Sequence, residues 1–86
     1  MINLDALNRR QQSIVIFCRD YIRYYGLIQD NKWRVTDRGY SLYTMANHVE
    51  GLLLNARAEL TPDDFQQLHQ EARDGIGNLR LFQDLA

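Results

Sequence analysis

The sequence predicts an all-α domain, a three-helix bundle in which the second and third helices form an antiparallel hairpin. The longest stretch with apolar residues at helical spacing runs from Arg38 to Leu60. One proline and five glycines among 86 residues favour long, uninterrupted elements. The motif TPDD at residues 61–64 is a strong helix start directly after that stretch. We expect helices near 4–25, 37–60 and 62–83 in a single helical domain, 1–86.

The first helix is predicted over residues 4–25. Asn3 is a candidate N-cap, and Asp5 in the first turn complements the helix dipole. Gly26 fits the position just beyond a helix, so we expect the helix to end there. The apolar positions form a surface broader than one neighbour needs, and they are Leu7, Ile14, Phe17 and Tyr21, with a second edge of Val15, Cys18 and Ile22.

The segment between the first two helices is the one candidate for extended structure. Asp30 and Asn31 are typical of a turn, and residues 32–36 include the strand-like Trp33-Arg34-Val35. Thr36 or Asp37 is then expected to cap the second helix.

The second and third helices each show one apolar face. The second face contains Leu42, Met45, Val49, Leu52, Ala56 and Leu60, and the third contains Phe65, Leu68, Ala72, Ile76, Leu79 and Phe82. Gly75 and Gly77 interrupt the third helix, at a cost of about 1 kcal/mol each relative to alanine in a helix interior. We favour a break or kink there. The alternative is that the glycines permit a close backbone approach.

No residue pattern indicates catalysis, a cofactor, a metal site or a small-molecule substrate. His48 and His69 each have a glutamate two residues away, on a different helix face, so we expect surface histidines. Cys18 lies in an apolar stretch, where a thiol behaves as a small hydrophobe, and one cysteine fits a reducing compartment. The start of the chain lacks the features of a signal peptide and no apolar run could span a membrane, so a cytoplasmic protein is predicted.

The charges are unevenly distributed along the chain. Residues 1–49 carry seven bases against four acids, and residues 50–86 carry three bases against seven acids. We expect these charges to neutralise one another inside the fold. The alternative is that they present opposite faces to partners.

Bases and aromatic residues alternate at the end of the first helix and in the segment that follows. This pattern can contact phosphates and stack on bases, although the aromatic residues could equally cap the core beneath solvated arginines. The predicted partner-binding residues are Arg19, Tyr21, Arg23, Tyr25, Lys32, Trp33, Arg34 and Arg38.

Residues 26–42, GLIQDNKWRVTDRGYSL, resemble the segment of winged-helix transcription regulators that leaves the recognition helix, forms the wing and enters the next helix. Gly26-Leu27-Ile28 and Thr36-Asp37-Arg38-Gly39 occupy the places of that family's "GLI" and "T-x-x-G" motifs. The resemblance implies a wing near residues 30–34 and a dimerising helix over residues 42–60. Upstream, the pattern is one continuous helix, without the turn of a helix-turn-helix.

The functional hypothesis is therefore a small non-catalytic regulatory or inhibitory protein that binds another macromolecule, with a protein as the expected partner. We also expect a homodimer in which the first helix, together with Tyr21, Tyr25 and Trp33, is prominent at the interface. The alternative is a DNA-binding regulator derived from a winged helix, which would use Arg19, Arg23, Lys32, Arg34 and Arg38.

Overall fold

The described residues form three α-helices, as the sequence predicts. A computed structural model describes residues 1–30 and 41–77. A 3₁₀ turn at Leu4–Ala6 precedes the helices α1 (Arg9–Gln29), α2 (Leu42–Glu59) and α3 (Pro62–Ile76). The predicted all-α bundle is confirmed. The expected extended segment at residues 32–36 lies outside the described residues.

Contacts between side chains show that α1 and α2 run antiparallel. Arg10, near the start of α1, forms an ion pair with Glu59 at the end of α2. Tyr21, in the second half of α1, stacks on His48 in the first half of α2.

Contacts between α1 and α3 show that these two helices run parallel. Arg19 of α1 pairs with Glu71 of α3, and Ile22, nearly one turn later, lies against Gly75. With α2 antiparallel to α1, the bundle is up-down-up, and α2 and α3 form the predicted hairpin.

The first helix begins and ends later than the sequence predicts. Asn3 caps the 3₁₀ turn, because its Oδ1 accepts a hydrogen bond from Asp5 N at 3.2 Å. The cap of α1 is Asn8, which forms a reciprocal capping box with Gln11 at 2.9 and 3.0 Å.

The prediction that Gly26 ends the first helix is wrong, because α1 continues to Gln29. A glycine inside a helix costs about 1 kcal/mol relative to alanine. The extra turn buries Ile28, which is 8% exposed, and this burial offsets the cost.

The second helix also begins later than predicted, at Leu42 rather than near residue 37. Ser41 is its N-cap, with Oγ accepting a hydrogen bond from Thr44 N at 3.0 Å. The expected caps, Thr36 and Asp37, lie outside the described residues.

The buried face of α2 is turned slightly from the predicted one. Its fully buried centre is formed by Met45, Val49, Leu53 and Ala56. Leu52, which the sequence places on the core stripe, is only partly buried. Helix α2 packs on both α1 and α3, so its buried face is the one that lies between these two helices. Leu53 lies at the centre of that face.

The connection between α2 and α3 is as tight as predicted. Leu60 is the C-cap of α2 and is buried, and Thr61 follows at once as the N-cap of α3. Thr61 Oγ1 accepts a hydrogen bond from Asp64 N at 3.2 Å, and Pro62 occupies the first turn.

The two glycines of α3 have different roles. The helix ends at Ile76, and Gly77 follows with φ +81°, where side chains are disfavoured, so the predicted break is confirmed. Gly75 lies within the helix, and a β-carbon there would overlap Ile22 Cγ2. Gly75 therefore provides the close approach that was the alternative interpretation. The predicted positions Leu79 and Phe82 lie outside the described residues.

His69 belongs to the core, which corrects the expectation of a surface histidine. It is 3% exposed and stacks on Phe65, with ring centroids 5.6 Å apart. Burial lowers the pKa of His69, and the nearby positive charge of Arg73 lowers it further. His48, in contrast, is exposed as predicted.

Candidate functional site

Arg19, the first of the predicted partner-binding residues, is engaged inside the bundle. Its Nε and Nη2 donate to Glu71 Oε1 and Oε2 at 2.7 and 2.9 Å. This hydrogen bonding lowers the pKa of the Glu71 carboxyl, and Gln67 Nε2 adds a contact at 3.4 Å. A bidentate pair of this kind joins α1 to α3 and neutralises the guanidinium charge.

The tyrosines of α1 are largely used in packing. Tyr21 lies 4.6 Å from His48, centroid to centroid, with nearly parallel rings, and it meets Tyr24 edge-on at 6.1 Å. Tyr25 is 8% exposed and belongs to the core cluster. It therefore offers a partner almost no surface. This outcome matches the interpretation that aromatic residues of the cluster cap the core.

Arg23 is the predicted site residue of α1 that remains most open to solvent. Its side chain is 66% exposed, with Nη2 3.7 Å from Asp20 Oδ1 and the guanidinium 5.3 Å from the centre of the Tyr24 ring. The other predicted site residues, Lys32, Trp33, Arg34 and Arg38, lie outside the described residues.

In the described part of the chain, two ion pairs connect the basic half of the sequence to the acidic half. Arg10 pairs with Glu59, and Arg19 pairs with Glu71. Both pairs support the expectation that the uneven charge is neutralised within the fold.

Cys18 is fully buried between the helices. Burial raises the pKa of its thiol to about 12, and the negative charge of Glu71 adds to the shift. A thiol in this environment stays protonated near neutral pH and packs as a small hydrophobe, because the thiolate is the nucleophilic form. Among residues 1–30 and 41–77, no group of three His, Cys, Asp or Glu side chains is placed to hold a metal ion.

The outward face of α2 is a surface that the sequence reasoning missed. The five residues of this face, the α2 stripe, are all exposed and all uncharged, and they are Tyr43, Asn47, Gly51, Leu54 and Ala58. Tyr43 is 74% exposed and Leu54 is 53% exposed. Exposed helix faces are ordinarily polar and charged. The five positions have the spacing i, i+4, i+8, i+11 and i+15, which places them on the helix face opposite the core. The lack of charged residues at this spacing is a signal that could have been found in the sequence.

The outward face of α1 also exposes large apolar side chains. Ile16 is 46% exposed and Phe17 is 54% exposed. The sequence assigned Phe17 to the core face together with Tyr21, four residues later. In the bundle, Phe17 lies at the edge of the buried sector, which is centred on Cys18 and Tyr25.

Comparisons with protein-family models, with curated proteins and with solved structures found no match to this chain. In the described part of the chain, no helix has the length and apolarity that crossing a lipid bilayer requires. Of the segments that resemble winged-helix regulators, Gly26–Ile28 lie in the last turn of α1, and the segment that the resemblance implies for dimerisation, residues 42–60, contains α2.

Proposed function

We propose that this chain is a small non-catalytic regulatory or inhibitory protein that acts by binding another protein through the α2 stripe. The observation that carries the proposal is the stripe itself: five exposed, uncharged residues along four turns of one helix. Tyr43 and Leu54 are the large apolar side chains of this face, and an exposed helix face without charges can pack against a partner without burying an unpaired charge.

The side chains of the α2 stripe suit a helix or a shallow groove of a partner. Tyr43 and Leu54 lie three turns apart, and Tyr is enriched among residues that dominate interface energies. Between them Gly51 has no side chain, and a β-carbon there would meet no atom within 4 Å. A partner backbone can therefore approach α2 closely at its centre. Covering the exposed half of Leu54 contributes on the order of 1 kcal/mol to binding.

The arginines support a protein partner over DNA. A phosphate contact from Arg19 would have to replace its bidentate bond to Glu71, and Tyr25 is too buried to stack on a base. Among the described members of the predicted DNA-contacting set, Arg23 alone has a largely exposed side chain.

The experiment compares proteins captured by the wild-type chain with those captured by single variants. Tyr43→Glu and Leu54→Glu place a charge on the α2 stripe without touching the core, and Gln66→Glu adds the same charge on the exposed face of α3. Thermal melts confirm that all four proteins fold.

We expect one or more proteins to be captured by the wild-type chain and by Gln66→Glu, and to be lost from both α2 variants. Each such protein is then purified and titrated against the four chains. Equal capture or equal affinity with all four chains would refute the α2 stripe as the binding surface. Tight, salt-dependent binding of a labelled DNA duplex would instead support the DNA-binding alternative.

A further inference from the structure

A second outward stripe, on α1, has the spacing of a helix–helix seam. The residues of this α1 stripe follow one another at intervals of three and four, and they are Ser13, Ile16, Asp20, Arg23 and Leu27. Intervals that alternate between three and four place side chains along one line facing a neighbouring helix. Ile16 and Leu27 lie outside the apolar cluster that forms the core of the described residues.

The α1 stripe of one chain is complementary to the α1 stripe of a second chain that runs in the opposite direction. A second α1 placed antiparallel, with a two-fold axis midway between Asp20 and Arg23, sets Asp20 opposite the Arg23 of the other copy. The same operation sets Ile16 opposite the other Leu27. Every contact then occurs twice, which is the defining property of a two-fold symmetric interface.

The charges at the centre of the stripe select this orientation. Asp20 and Arg23 are 40% and 66% exposed, and within one chain they are 3.7 Å apart, at the far end of ion-pair range. An antiparallel copy provides two further partners of opposite charge. A parallel copy would align Asp20 with Asp20 and Arg23 with Arg23, which like-charge repulsion disfavours.

The aromatic flank of α1 fits the same arrangement. Phe17 and Tyr24 are two turns apart on one side of the stripe, and two-fold symmetry brings this side against its own copy. Phe17 of one chain then lies beside Tyr24 of the other. This contact would cover the Phe17 side chain, which is 54% exposed in a single chain.

We propose that the α1 stripe is the interface of an antiparallel, two-fold symmetric homodimer of this chain. The interface is distinct from the α2 stripe, which lies on another helix, so each surface can be tested without the other.

The test is a charge exchange, measured by analytical ultracentrifugation of the full chain over a wide concentration range. Asp20→Arg alone brings two arginines together across the axis, and Arg23→Asp alone brings two aspartates together. We expect each single variant to raise the dimer dissociation constant at least tenfold. The double variant Asp20→Arg/Arg23→Asp restores opposite charges, and we expect it to dimerise as the wild type does.

Mixing the two single variants gives the sharper result. In a mixed dimer the arginine at position 20 of one chain meets the aspartate at position 23 of the other, and the second contact pairs Arg23 with Asp20. We therefore expect the equimolar mixture to dimerise as tightly as the wild type, although each component alone dimerises at least tenfold more weakly. An effect of the substitutions on folding cannot produce this rescue, and Gln66→Arg serves as the control for added surface charge.

Three results would overturn the proposal. A wild-type chain that stays monomeric at submillimolar concentration has no such dimer. A wild-type dimer with no rescue in the mixture uses another surface. A dimer that Leu54→Glu dissociates uses the α2 stripe, whereas a wild-type monomer that still binds a partner through Leu54 leaves the proposed function intact.

Discussion

Three consecutive leucines of α2, Leu52, Leu53 and Leu54, provide a matched test of how the helix is oriented in the bundle. They share one chemistry and one helix, and they differ in exposure. Leu53 is 0% exposed, Leu52 is partly buried against the core, and Leu54 is 53% exposed. Replacing each in turn by alanine therefore measures burial with little difference in helix propensity.

The expected losses of unfolding free energy follow from these exposures. Leu→Ala at a fully buried site costs roughly 3 kcal/mol, since lost transfer energy and the cavity both contribute. We expect that cost at Leu53, about 1 kcal/mol at Leu52, and a change within roughly 0.5 kcal/mol at Leu54. For a domain of this size, the change at Leu53 corresponds to a fall in Tm of roughly 15–20 °C.

The assay is urea denaturation followed by circular dichroism, with thermal melts of the same variants. Equal slopes of free energy against urea would show that the denatured states are comparable. A larger loss at Leu52 than at Leu53 would mean that α2 is rotated toward the face that the sequence alone predicts. A large loss at Leu54 would show that the α2 stripe is covered within a single chain, which would refute its role as a docking surface.

Two further predictions concern α3. Gly75→Ala should lower the free energy of unfolding, because the new methyl group overlaps Ile22, even though alanine is the better helix former by about 1 kcal/mol. Urea titration measures this change. Adding Ile22→Ala removes the overlap and should recover part of the lost stability. The pKa of His69 is lower in the folded chain than in the unfolded chain, so the unfolded chain binds a proton more readily. We therefore expect the free energy of unfolding to be unaffected by His69 well above pH 6.5 and to decrease as the pH falls below that value. His69→Gln should flatten this decline between pH 7 and 5, and an equally steep decline in the variant would assign it to other groups.

Local signals in the sequence were sufficient to predict the three helices that residues 1–30 and 41–77 form. The TPDD start of α3 and the break at Gly77 depend on neighbouring residues only, through a threonine cap, a proline in the first turn and a positive φ. The start of α1 was harder to predict, because Asn3 and Asn8 are both competent caps. The choice depends on Gln11, which completes the box with Asn8, and on Gln12, which donates to the carbonyls of the preceding turn.

The partner-binding residues were less predictable than the helices. A run of arginines and tyrosines has the same sequence pattern whether its side chains face a partner or the bundle. Arg19 pairs with Glu71, which is 52 positions away in the sequence, so its charge is not available to a partner. Tyr25 is buried in the core.

The sequence by itself determined that residues 1–30 and 41–77 form three amphipathic helices with a tight α2–α3 hairpin, because periodicity and capping are properties of short stretches. Only the tertiary structure decided which way each helix faces, since that depends on two neighbours at once. It made Leu53 rather than Leu52 the centre of the α2 face, placed His69 in the core and bound Arg19 to Glu71. It also left Tyr43 and Leu54 on one side and Ile16 and Phe17 on another, because a bundle of three helices covers only the inner sector of each.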